Sequence, residues 1–238
     1  MVVATYNVHR CVGTDGREDV ERVAAVVREL EADVIGLQEV ACEHPPILRS
    51  QLDRLASATG YVAIAGPTLS RTGASFGNGL LLRTTPTAIR RLDLGIAGRE
   101  PRGALTVTLP GPHRGWRILV THLGLRAFER RAQVDRLVSL LVEEAAADGR
   151  APLVLLGDLN EWTPRPRALR RLERHFAPSL PVRSFPAGRP TLALDRILVR
   201  APGGLRDLRV HDSALARRAS DHLPVRGVVT HDGATTRC

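Results

Sequence analysis

Short apolar runs recur along the whole chain and many stop abruptly at a polar, chemically capable residue, a pattern that few folds can use. The runs are Val2 to Val8, Val34 to Gln38, Tyr61 to Ala65, Gly79 to Leu82, Ala104 to Leu109, Arg117 to Thr121, Leu153 to Leu156, Leu194 to Val199 and Val225 to Val229. Their length and composition suit strands. Apolar residues at helical spacing lie between some of them: Val20, Val23, Ala24, Val27 and Leu30; then Val134, Leu137, Val138, Leu141 and Val142; and a third stretch around Leu48, Leu52 and Leu55. Bunched strands with a few inserted helices predict two packed sheets whose outer faces are covered by helices. A doubly wound dinucleotide-binding sheet would alternate more regularly, and no Gly-x-Gly-x-x-Gly turn follows the first strand. In a sandwich, strand ends and their loops converge at one edge, where residues distant in sequence meet.

Residues 1–238, 43% apolar, are enough for one sizeable core, so one domain is expected. Apolar stretches such as Leu153 to Leu156 are broken by charge within a few residues, so no transmembrane segment is expected. Val2-Val3-Ala4-Thr5-Tyr6 reads as a strand rather than a secretory signal; taken as the native start, it implies a cytoplasmic protein, and a monomer is expected. Cys11, Cys42 and Cys238 are widely separated and lack metal-ligand spacing, which suggests free thiols. The formal net charge is +9, and every basic residue is arginine. Coding bias explains the choice of cation but not its excess over acids, so nucleic acid stays open as a partner.

Five clusters carry candidate chemistry. Thr5-Tyr6-Asn7-Val8-His9 ends a buried strand on an amide that can bond a phosphate oxygen or orient a metal ligand; the plain alternative is that Asn7 closes a turn. Leu37-Gln38-Glu39-Val40 sets a carboxylate at a strand end, a hard oxygen donor suited to magnesium or manganese, or simply an exposed glutamate. Val120-Thr121-His122-Leu123 does the same with an imidazole, which in isolation is more often structural. Gly157-Asp158-Leu159-Asn160 follows a fully apolar strand, so Asp158 can activate water and Asn160 can hold it or a phosphate; an ordinary Asx turn is the alternative. Ser220-Asp221-His222-Leu223-Pro224 joins a metal-ligand type to a titratable ring, and Asp195 in Leu194-Asp195-Arg196-Ile197 is suited to fix that ring's tautomer and raise its pKa.

Taken in order, from Tyr6 to Pro224, this series resembles the motifs of the endonuclease/exonuclease/phosphatase family, with Gly-Asp-Leu-Asn and Ser-Asp-His-Leu-Pro the most specific. The resemblance implies an α+β fold, a four-layered αββα sandwich of two mostly antiparallel sheets flanked by helices. It also implies a divalent-metal-dependent phosphoric ester hydrolase using Mg2+ or Mn2+. By the same resemblance Glu39 binds the metal with Asn7 and Asp221 close by. Asp158 orients or deprotonates the attacking water, Asn160 and His122 contact the phosphate, and His222, held by Asp195, stabilises the transition state or acts as general acid or base. Phosphodiesters need such combined help, since the largest enzymatic accelerations are roughly 10¹⁷-fold or more.

His9 stands where abasic-site nucleases of the family carry an aspartate, so a second hard ligand is missing and two metals are in doubt. Thr121-His122-Leu123-Gly124 resembles instead the histidine-bearing branch of pancreatic-type deoxyribonucleases, sphingomyelinases and inositol polyphosphate phosphatases. An aromatic content of 3% argues against a long stacking groove for single strands. Leu125, Phe128 and Trp162 could form a small apolar rim in peripheral contact with lipid, and the turn of Arg99, Arg102 and Gly103 could bind phosphate. The leading expectation is a phosphodiesterase or phosphatase on a lipid headgroup or small phosphate ester. The alternatives are a nuclease of little sequence specificity and an inactive polyanion-binding module.

Overall fold

A computed structural model describes residues 1–43, 49–71, 74–110, 115–148, 151–163, 166–200 and 203–231. Among them the first half runs β1 (Val2–Asn7), α1 (Val20–Leu30), β2 (Val34–Glu43), α2 (Gln51–Thr59), β3 (Val62–Arg71), β4 (Ala74–Leu82), β5 (Ala88–Asp93) and β6 (Gly103–Thr108). The second half runs β7 (Arg117–His122), α3 (Ala127–Asp148), β8 (Leu153–Asp158), α4 (Arg167–Glu173), β9 (Asp195–Val199), β10 (Gly203–Val210), α5 (Ala216–Ala219) and β11 (Val225–His231). One sheet has the order β10-β11-β1-β2-β4-β3, the other β5-β6-β7-β8-β9. Only β1 with β2 and β7 with β8 pair in parallel, and each of those pairs is joined by the long crossover such pairing requires, through α1 and α3.

Alternation along the strands builds the layers. Val3 and Val34 in the first sheet meet Ile118, Val120, Val154 and Leu156 of the second in one apolar interior. The opposite faces carry Tyr6, Ile35 and Leu37 under α1 and α2, and Leu119 and Leu155 under α3 and α4. Each fully buried Val or Leu contributes about 1.5–3 kcal/mol, which is why both faces of both sheets must be covered. The result is the expected four-layered αββα sandwich. Gly36 marks a close approach of the sheets: a Cβ there would stand 2.9 Å from Leu156 Cβ and 3.0 Å from Val120 Cγ2.

Several features depart from the sequence reading. Strands β5 and β10 lie at sheet edges and carry mostly exposed or half-buried residues, so neither shows an apolar run. The short helices α4 and α5 also escaped the pattern. Val142, at helical spacing with the α3 core residues, is 54% exposed instead of packed. Leu48 and Cys238 lie outside the described residues, whereas Cys11 and Cys42 are buried. No described helix is long and apolar enough to cross a membrane.

Strand register carries the chemical residues to one edge. Asn7 pairs with Gln38, the neighbour of Glu39; His122 pairs with Asp158; and Asp158 pairs with Asp195. Thr5 pairs with Val225, so the Asp221-His222 turn leading into β11 arrives beside the end of β1.

Candidate active site

Four of the five clusters line a single cleft of about 420 Å³, through Glu39, His122, Asp158, Asn160, Asp221 and His222, and the fifth is joined to it by Asn7, which bonds Glu39 and Asp158. That volume lies within the range of small-molecule sites. Glu39 reaches it through a β-bulge: Leu37 pairs with Gly79 but Val40 with Gly77, so Gln38 and Glu39 together oppose Asn78. Glu39 has φ 56° and Asn160 φ 50°, left-handed values that cost a side-chain-bearing residue free energy and turn both side chains out of their strand lines.

Asn7, 1% exposed, donates through Nδ2 to Glu39 Oε1 and to Asp158 Oδ2, each at 3.1 Å, and accepts from the His9 amide at 3.0 Å. It therefore presents its donor side to two carboxylates and links them. Asp158 is equally buried; its Oδ1 accepts from the Asn160 amide at 2.9 Å. Its Oδ2 also lies 3.7 Å from His222 Nε2 and 3.5 Å from His122 Nε2. Burial, and then the charge of Asp195, raise the Asp158 pKa to about 6 against the opposing pull of His222, the Asn160 amide and Asn7. A carboxylate so placed is a base poised near neutrality.

His222 donates from Nδ1 to Asp195 Oδ2 at 2.9 Å, and Ser184 Oγ donates to the same oxygen at 2.5 Å. Burial alone would push the imidazolium down, but Asp195, Asp158 and Asp221 together outweigh it and hold the pKa at about 10. With Nδ1 engaged by Asp195, the second N–H points toward Asp158. Phe185 lies against this ring, centroids 4.6 Å apart, and Trp162 stands edge-on to Phe185 at 5.7 Å.

His122 is of the opposite kind. Burial, then Arg102 and His222, hold its pKa well below the ordinary value, so it is neutral. Arg102 Nη1 lies 3.0 Å from His122 Nδ1 and can only donate. Asn160 Nδ2 donates to Leu123 O at 2.9 Å and also lies 2.9 Å from His122 Nε2. A neutral imidazole accepts at one nitrogen only, so one of these two donors is left for an incoming oxygen acceptor.

Arg102 is 9% exposed and committed to His122, with Glu100 3.5 Å from its Nη2. Its Nε and Asn78 Oδ1, both from residues lining the cleft, are buried without hydrogen-bond partners among the described residues. Arg99 instead pairs with Glu129 at 3.4 Å and covers the Phe128 ring at 5.1 Å, and it does not line the cleft. Asp221 is a half-exposed carboxylate with Oδ1 3.7 Å from His9 Nδ1, and that nitrogen donates to Val12 O at 3.2 Å. Leu125, Phe128 and Trp162 are exposed by 59%, 50% and 44%, and Leu125 and Trp162 line the cleft.

Sequence reasoning missed the residues that hold this arrangement. Arg130 of α3 forks onto Glu161 through Nε at 3.2 Å and Nη2 at 3.3 Å while Nη1 donates to the Gly124 and Leu125 carbonyls. Gln133, one turn on, accepts from the Gly124 amide at 2.8 Å. Together they tie the loop after His122 to the turn after Asn160. Ser184 and Phe185, in a stretch that reads as loop, brace both members of the Asp195–His222 pair. Only the position of Glu161 beside Asn160 signalled any of this; the other contacts exist only in three dimensions.

A model of the endonuclease/exonuclease/phosphatase family matches residues 4–222. The uncharacterized protein YbhP of Escherichia coli K12 is 29% identical over 246 residues, spanning 94% of this chain and 93% of that protein. An endonuclease/exonuclease/phosphatase from Beutenbergia cavernae superposes with a TM-score of 0.76 at 27% identity, covering 97% of this chain and 71% of that one. The mannosyl-6-phosphatase Bt3783 of Bacteroides thetaiotaomicron shares the fold, with a TM-score of 0.70 at 16% identity over 97% of this chain and 99% of that one.

Proposed function

The chain belongs to the endonuclease/exonuclease/phosphatase family, and from that premise we propose that it is a divalent-metal-dependent hydrolase of phosphate esters, a phosphodiesterase or phosphatase acting on a lipid headgroup or small phosphate ester. The observation that carries the reading is the buried line Asp195–His222–Asp158 joined through Asn7 to Glu39 in one cleft. It brings together a carboxylate poised to accept a proton, a cation and an outward-facing oxygen donor.

The donor set suits a hard cation. Glu39 is half-buried and Asp221 half-exposed; both line the cleft, and neither is neutralised by an arginine at salt-bridge distance among the described residues. Carboxylate oxygens of this kind fit magnesium or manganese, with Asn7 beside them. Asp158, Asp195 and His222 also lie within 4.8 Å of one another. A cation there would have to displace a proton that the imidazole holds up to a pKa of about 10, so the Glu39 side is the better seat. The bound ion would polarise phosphate oxygens and offset charge that builds in the transition state.

The protein's own groups divide the remaining work. Asp158 accepts the proton of the attacking water. Asn160 and His122, which contact each other at 2.9 Å, bind the phosphate, with Arg102 held against the other nitrogen of the His122 ring. His222, protonated and held by Asp195, supplies positive charge or a proton to the reacting phosphate.

The nuclease reading has the net charge of +9 in its favour. Among the described arginines, however, only Arg10 and Arg102 line the cleft, and Arg102 is bound to His122, whereas a polynucleotide track calls for a stripe of cations. The test is hydrolysis of bis-para-nitrophenyl phosphate with magnesium or manganese, abolished by chelation and lowered at least about a hundredfold by Asp158→Ala in folded protein. No turnover with either ion, or turnover unaffected by chelation, would overturn the proposal.

A further inference from the structure

The cleft is larger than a phosphate needs, and the space beside His222 is walled by rings. Phe185 leans on the imidazole at 44° with centroids 4.6 Å apart, and Trp162 meets Phe185 at 78° and 5.7 Å. Both aromatic residues line the same cleft as Asp158, yet Trp162 keeps 44% of its surface exposed. Leu125, 59% exposed, also lines the cleft. A tryptophan half in water beside a cavity is unfinished packing that a ligand can complete.

Among the described residues Trp162 belongs to none of the buried aliphatic clusters, and the neighbouring Glu161, through Arg130, fixes the turn. What the pair offers is two ring surfaces set nearly at right angles. A flat ring can lie offset on one and edge-on to the other, the two arrangements aromatic groups prefer, whereas a saturated group gains only from area removed from water.

We infer that Trp162 and Phe185 form a subsite for a flat, unsaturated ring carried next to the phosphate on the His222 side, so that the substrate is an aryl-bearing or base-bearing ester. This rests on the phosphohydrolase reading above and narrows its substrate class. Phe185 links the two functions, because the ring that packs on His222 also forms the wall of the subsite. Occupation of the subsite therefore sets the distance between the substrate phosphate and the imidazolium.

The experiment uses two non-hydrolysable ligands of equal charge and similar size, phenylphosphonate and cyclohexylphosphonate, titrated calorimetrically with magnesium present into wild type, Trp162→Ala and Trp162→Phe. Base-on-aromatic stacking corresponds to roughly tenfold in affinity, so the wild type is expected to favour the phenyl compound by about that factor. Trp162→Ala should erase the preference by weakening the phenyl compound alone, and Trp162→Phe should keep most of it. Equal affinities in the wild type, or a preference untouched by Trp162→Ala, would overturn the inference. Wild-type turnover of bis-para-nitrophenyl phosphate without binding of either phosphonate would overturn the subsite while leaving the hydrolase intact. Absence of both binding and turnover would remove the two together.

Discussion

Replacing Asp195 by Asn removes one charge from the centre of the site and leaves its shape. Asp195 is 1% exposed, and one of its oxygens accepts from both Ser184 and His222. Burial drives the His222 imidazolium toward its neutral form, and Asp195 is the largest influence opposing it, ahead of Asp158 and Asp221. The rise from the ordinary 6.5 to about 10 represents on the order of 5 kcal/mol of extra proton affinity, with Asp195 its largest source. Because the folded pKa is raised, the associated stability is complete below pH 6.5 and is lost as pH climbs through about 10. In Asp195→Asn that contribution shrinks, and the imidazolium is lost near neutrality instead. Asp158, which Asp195 helps to raise to about 6, falls as well, so both limbs of the rate profile move toward acid. Removing the corresponding charge from a serine protease triad costs about 10⁴-fold in turnover, and a loss of about 10²–10⁴-fold at pH 7.5 is expected here. The assay is kcat against pH with bis-para-nitrophenyl phosphate at saturating magnesium. A variant within about threefold of wild type at pH 7.5, with limbs unmoved, would refute the assigned roles of Asp195 and His222.

Arg130→Met should destabilise the fold by about 3–5 kcal/mol, because it leaves the Glu161 carboxylate buried and unpaired, and adding Glu161→Leu should recover much of that; urea unfolding midpoints at constant slope decide it. Gly36→Ala should cost about 1–3 kcal/mol by the same measurement, since its methyl would press on Leu156 and Val120 of the facing sheet, and a neutral result would mean that the sheets separate easily there.

The parts of the fold that could be read from sequence were those with two covered faces. Leu153 to Leu156 and Val34 to Leu37 are buried throughout, so each prints an apolar run, and Asp158 and Glu39 stand out because they interrupt one. β5 prints no such run because its arginines face water at an edge, and an edge strand is defined by its neighbour rather than by its own residues. The same division holds in the site. Asn7, His122 and Asp195 end or begin strands and were recognisable, whereas Ser184 and Phe185 gain meaning only from the fold that sets them on Asp195 and His222. The bulge that turns Glu39 into the cleft was likewise invisible, because a left-handed glutamate carries no compositional mark.

If Glu39 seats a divalent cation next to a phosphate held by Asn160 and His122, crystals grown with manganese and inorganic phosphate will show it through the anomalous signal of the metal. A peak bonded to a Glu39 oxygen is expected, with a phosphate oxygen at hydrogen-bond distance from Asn160 or His122, and no peak in Glu39→Ala. Manganese bound between Asp158 and His222 with Glu39 unengaged, or a phosphate elsewhere in the cleft, would contradict this arrangement.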